Sequence, residues 1–199
     1  MTFDAFAPVE LGQVQVEVYT TNYRVSGMTK TRHSRVADIV NQLPTALLIL
    51  HDATVTEYAA PKAPMTAPQV LVPAERIVLM VADETQAEAR SEMRIPKRPV
   101  RTELLAPPFR VVGSVHVPQG SRPIDGLLNA ADRFLAMTDV SISSSQFPAL
   151  DGSFGVIAIQ ISMAHLIVAA DDERPDELLA DVLDESTAHG WIHRDQDLL

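Results

Sequence analysis

Several blocks of this 199-residue chain recur in the same order 86 to 88 positions apart, and this limits what the chain can fold into more than any other feature. QVEVY (15–19) and YRVSG (23–27) are answered by RTELL (101–105) and FRVVG (109–113). SRVAD (34–38) is answered by SRPID (121–125), LLILHDATV (47–55) by FLAMTDVSI (134–142), and IVLMVAD (77–83) by HLIVAAD (165–171). Order and spacing are kept through all of these blocks, which points to an internal duplication. Each copy is about 70–75 residues, small for an independent core, so the two are expected to pack on one another.

Within a copy the patterning is that of strands. Val14, Val16 and Val18 alternate with Gln13, Gln15 and Glu17, the period of a strand with one wet face. A second strand follows from Tyr23, and Gly27 and Gly113 stand where a bulge or a close backbone crossing would exclude a Cβ. Ser34 and Ser121 are placed to cap a short helix, with Val36, Ile39 and Val40 on its apolar face and Pro44 beyond its end. Residues 47–50 and 53–58 read as a strand bent at Asp52. Residues 70–73 and 77–81 read as a hairpin turning at Pro73-Ala-Glu-Arg76. The expected fold is therefore mainly β with short helices (α+β): tandem small antiparallel sheets or barrels around a pseudo-twofold, with a C-terminal helix. The expected divisions are a first β repeat at 12–83, a charged linker at 84–100, a second β repeat at 101–171 and an acidic tail at 172–199.

Net charge is −10, and it is unevenly spread. From Asp171 to Leu199 ten acidic side chains face two basic ones, so this stretch carries eight of the ten net charges and the body is close to neutral. An acidic exterior repels phosphate backbones and disfavours nucleic acid as a partner. The tail also carries an apolar stripe, Leu178, Leu179, Val182 and Leu183, after Pro175 at a helix start, so it is expected to dock. The chain has no cysteine, hence neither disulfides nor a thiol nucleophile. With no apolar run of membrane-spanning length and no basic leader, a cytoplasmic location is expected.

Two resemblances follow from particular residues. The order Gly113, SRPID (121–125), Asn129 and RFLAMTD (133–139) resembles an uncharacterised bacterial family of small β domains. The first copy departs from it with Leu47 for Phe134 and His51 for Thr138. That resemblance implies a small β fold and no particular chemistry. Arg94 and Arg98 in RIPKR, with Asp139 and Ser141 in DVSISS, partly resemble the cyclic di-GMP site of PilZ domains. This implies an arginine pair on phosphate and guanine, although Ser144 stands where the motif has glycine.

The chemical candidates each have a scaffolding reading. Ser34, Arg35 and Asp38, with Ser121, Arg122 and Asp125, fit a helix cap and a one-turn ion pair better than twin sites. Asp52 and Asp139 would form a hydrolase-type acid pair only if the copies brought them together; otherwise each shapes its own strand. His189 and His193 alone have metal-like spacing, with Gly190 between them, and no metal or other cofactor is expected. The sequence thus favours a non-enzymatic binding or assembly protein acting on a protein partner or itself as a homo-oligomer. The alternatives are a small phosphate-bearing ligand at the PilZ-like residues and an enzyme with acids between the repeats.

Overall fold

The computed structural model describes residues 11–83, 96–120 and 132–169. The first half contains β1 (Gly12–Tyr19), β2 (Tyr23–Thr31), α1 (Val36–Asn41), β3 (Leu47–Glu57), β4 (Met65–Pro73) and β5 (Leu79–Ala82). The second contains β6 (Lys97–Ala106), β7 (Phe109–Pro118), β8 (Phe134–Ser143), β9 (Gly152–Gln160) and β10 (Leu166–Ala169). All ten described strands join one antiparallel sheet in the order β10-β6-β7-β8-β9-β5-β1-β2-β3-β4. Each half therefore shows the same sequence of neighbours: its fifth strand, then its first, second, third and fourth. No described helix is long and apolar enough to cross a membrane.

Local patterning explains the strands. Val14, Val16 and Val18 are buried while their polar neighbours are not, as alternation requires. The short helix α1 buries Val36, Ile39 and Val40. Its N-cap position is held by Arg35, in extended conformation, and no side chain caps it. Ser34 lies one residue too early to reach the free N–H groups of the first turn, which corrects the expected cap. Among the described residues no ion pair joins Arg35 to Asp38.

Three further expectations change. First, the segments around Pro73 form no hairpin: β4 pairs with β3, whereas β5 pairs with β1 and β9. After Pro73 a short 3-10 turn (Ala74–Arg76) is tied down by Ala74 N–H donating to Ala46 O at 2.8 Å. The chain then crosses to the far side of β1, where Val78 N–H donates to Tyr19 O at 2.8 Å. Second, among the described residues the sheet is open, with β10 and β4 as its edges, and these strands close no barrel. The edge of β5 that would have to meet β4 to close the first half is occupied by β9, and the reverse holds for the second half. Third, a twofold axis would set like strands against each other at the join, but here a fifth strand meets a fourth. The halves follow one another head to tail. The stretch expected as a linker through residue 100 already belongs to β6 from Lys97, and the expected tail helix lies outside the described residues.

The join, β5 against β9, is buried on both faces. Leu79 pairs with Ile159 and Met80 with Ala158, all four 0 % exposed. Successive residues point to opposite sides of a strand. Leu79, Ile157 and Ile159 accordingly enter one hydrophobic cluster, while Met80 and Ala158 enter the other. The two cores thus lie on opposite faces of a shared sheet. Each half also contributes to the core of its neighbour. Tyr19, Tyr58, Val78 and Leu79 of the first half pack into the second-half core, and the rings of Tyr19 and Tyr58 meet Phe109 edge-on at 5.9 and 6.0 Å. Phe134 of β8 enters the first-half core, and its backbone N–H and C=O are both bonded by the Asn41 side chain at 2.8 Å. In the orientation that satisfies both ends of its amide, Gln160 Nε2 donates to Ala74 O at 2.9 Å and Ile77 O at 2.6 Å. Burial raises the Tyr19 and Tyr58 phenols far above their ordinary range, with hydrogen bonding to Glu17 adding to the effect at Tyr19.

Candidate functional site

The residues singled out for chemistry divide among matched positions of the two halves. Asp52 and Asp139 are the only described non-glycine residues with positive φ, at 50° and 52°. Each marks a register shift. Ser26 pairs with Thr54 but Met28 with His51, so Gly27 faces two residues of β3; Val112 pairs with Ser141 but Ser114 with Thr138, so Gly113 does the same on β8. Both aspartates are therefore the left-handed residues of β-bulges, a conformation that short polar side chains tolerate better than most. The strand runs on past each of them, so the bend expected at Asp52 lies within one continuous strand, and Asp139 repeats it. A Cβ on Gly27 would lie 2.9 Å from His51 O, and one on Gly113 would lie 2.9 Å from Val140 Cγ2 and 3.0 Å from Thr138 O. The excluded Cβ read from the sequence is thus a real constraint at both positions.

The two carboxylates do not meet. Four strands lie between β8 and β3 in the sheet. Asp52 lines a shallow, open depression of about 320 Å3 with Thr54, Thr66 and Pro68, and Asp139 is not part of it. If both aspartates serve backbone shape, Asp52→Gly and Asp139→Gly should leave stability within about 0.5 kcal/mol of the parent, because glycine accepts positive φ freely. Asp52→Val or Asp139→Val should cost about 1–2 kcal/mol, because a β-branched residue strains in that region. Urea unfolding of the four variants measures this, and equal losses for Gly and Val would refute a backbone role.

The PilZ-like residues are only partly brought together. Arg94 lies outside the described residues. Arg98 is half-buried on β6, opposite Val117, while Asp139 and Ser141 are exposed on β8. The β6 arginine that reaches Asp139 is Arg101, whose Nη1 donates to the Asp139 carbonyl oxygen at 3.5 Å. Ser121, Arg122 and Asp125, and His189 and His193, also fall outside the described residues. Among the described residues no three His, Asp or Glu side chains gather as a metal site would need. Arg110 pairs with Glu103 at 2.7 Å across β6 and β7, and its hydrogen bond holds the exposed Glu103 carboxyl below its usual range.

The surface features that stand out are apolar, and they lie at the open edges. On β10, Leu166, Ile167 and Val168 are 60, 39 and 57 % exposed. At the opposite edge Met65 and Leu71 of β4 are 59 and 53 % exposed, beside Leu47 and Ile49 of β3. An open groove of about 540 Å3 borders this edge, lined in part by Tyr23, Val25, Val55, Val70 and Val72. The sequence places Leu47, Ile49 and Leu71 in strands and makes 165–171 the counterpart of 77–83, without separating edge from centre. The signal that could have separated them is the strand order, because composition does not distinguish an edge from a centre. No family model, curated protein or solved structure matches the chain.

Proposed function

We propose that this chain is a non-catalytic assembly protein, built from two copies of one five-stranded unit, whose binding elements are the two open edges of its sheet. One observation carries the reading. Positions that are 0 % exposed where the halves join (Val78, Leu79, Met80 and Ala158) have as their sequence counterparts Leu166, Ile167, Val168 and Leu71, which are 39–60 % exposed at the edges. An edge strand presents unpaired N–H and C=O groups that pair readily with an added strand, and soluble proteins ordinarily blunt it with charge. β10 offers aliphatic side chains and no charge, and β4 is likewise uncharged, although Pro68 and Pro73 each remove one N–H from it. The matched neighbour order, the matched bulges and the sequence recurrence together support descent of both halves from one unit.

The test is strand addition. A peptide of residues 65–73, made soluble by terminal lysines, is titrated into the full-length protein while amide hydrogen exchange is followed. Exchange at residues 166–169 is expected to slow, with no comparable change in the second-half core. Unaltered exchange there at large peptide excess would remove the reading.

A further inference from the structure

The join inside the molecule is a template for a contact outside it. A shift of 88 residues carries Leu79 to Ile167 and Met80 to Val168; a shift of 87 carries Leu71 to Ala158 and Val72 to Ile159. Inside the chain, a fifth strand (β5) pairs with a fourth (β9) through Leu79↔Ile159 and Met80↔Ala158. One fifth strand, β10, and one fourth strand, β4, end the sheet. Transposed onto these edges, the same pairing sets Ile167 against Val72 and Val168 against Leu71 of another copy.

Side-chain packing repeats the match. In the second half the face formed by Phe109, Ile142, Ile157 and Ile159 is covered by Tyr19, Val78 and Leu79 coming across the join. The counterparts of that face in the first half are Tyr23, Val55, Val70 and Val72, which line the open groove of about 540 Å3. The counterparts of the covering side chains are Leu105, Leu166 and Ile167, which stand at the other end of the sheet with Leu166 and Ile167 exposed. Hole and filler are both present, on opposite edges, so one molecule cannot satisfy itself in the way its halves satisfy each other.

We infer that copies of this chain join head to tail, β10 of one adding antiparallel to β4 of the next while Leu105, Leu166 and Ile167 enter the groove beside Val55, Val70 and Val72. The inference rests on the edge-binding reading above and names the occupant: a second copy. The contact is heterologous and leaves one edge of each type free, so it propagates into rings or open chains. It is weaker than the internal join at one place. Gln160 N–H donates to Val78 O at 2.9 Å, and its counterpart on β4 is Pro73, which has no N–H. Association is therefore reversible and depends on concentration.

The experiment is sedimentation velocity of the full-length chain and of two single variants, Leu71→Lys and Val168→Lys, across the micromolar range. The parent is expected to grow beyond dimer as concentration rises, and each variant alone to remain monomeric. An equimolar mixture of the variants is expected to form a one-to-one dimer and stop there, because it retains one intact edge of each type; that dimer also shows both variants to be folded. A parent that stays monomeric overturns the inference, as would happen if residues 170–199 of the same copy occupied the β10 edge. So does a mixture that stays monomeric, or either variant still associating by itself, which would mean like edges pairing with like. A monomeric parent whose residues 166–169 are nonetheless protected by the 65–73 peptide would remove self-association alone and leave edge binding standing.

Discussion

Phe134→Ala should destabilise the protein by about 3–5 kcal/mol, the largest single loss expected from any substitution considered for this chain. Phe134 is 1 % exposed and belongs to β8 of the second half, yet its ring packs in the first-half core with Val36, Ile39, Leu48 and Met80. Its removal opens a cavity beneath α1, and the Asn41 side chain that grips the Phe134 backbone loses the support under it. The matched position on β3, next to the edge strand β4, gives the control. Leu47 is 39 % exposed, and Leu47→Ala should cost less than about 1 kcal/mol at dilutions where copies do not meet. Urea unfolding followed by circular dichroism measures both; similar losses at the two positions would show that the ring does not bridge the halves.

Alanine at Gly27 or Gly113 should cost about 1–3 kcal/mol, although it adds a single methyl group. At Gly27 the nearest atoms to the new Cβ are His51 O at 2.9 Å and Ala53 Cα at 3.2 Å, both backbone, which yields only if the bulge itself shifts. At Gly113 the first contact is Val140 Cγ2 at 2.9 Å, a side-chain atom, but Thr138 O at 3.0 Å and Met137 Cε at 3.2 Å close the space behind it. Gly27→Ala should therefore be at least as costly as Gly113→Ala. Gly12→Ala, where the nearest atom is Thr31 O at 3.6 Å, should remain within about 0.5 kcal/mol of the parent. Thermal unfolding of the three variants checks the ranking, and a Gly27 variant as stable as the Gly12 variant would contradict the close approach of β2 to β3.

What the sequence makes legible is local. The alternation of Val14, Val16 and Val18, the apolar face of α1, and the exclusion of a Cβ at Gly27 and Gly113 depend on neighbours a few residues away or on a single crossing strand. What it conceals is pairing across distance. Pro73-Ala-Glu-Arg76 has turn composition, and a hairpin is the nearest use for a turn; in fact the chain crosses over to pair β5 with β1 and β9. The recurrence points to two similar units, but it carries no information on the operation relating them, so a twofold and a head-to-tail join look alike in one dimension. For the same reason IVLM at 77–80 and HLIV at 165–168 read alike, although the first segment is completely buried and the second stands at an edge. The aspartates are visible in the sequence as a matched pair, and the structure places each at the same bulge of its own half. The apolar edges were invisible until neighbours could be counted.

Strands with oil on both sides have a consequence for how this protein can be divided. Severed anywhere in residues 84–95, the chain would yield two pieces, each ending in a sticky ribbon wet on surfaces meant to stay dry. Each piece would have to cover that ribbon anew, because Leu79 and Met80 in the first and Ala158 and Ile159 in the second would lose the partners that bury them.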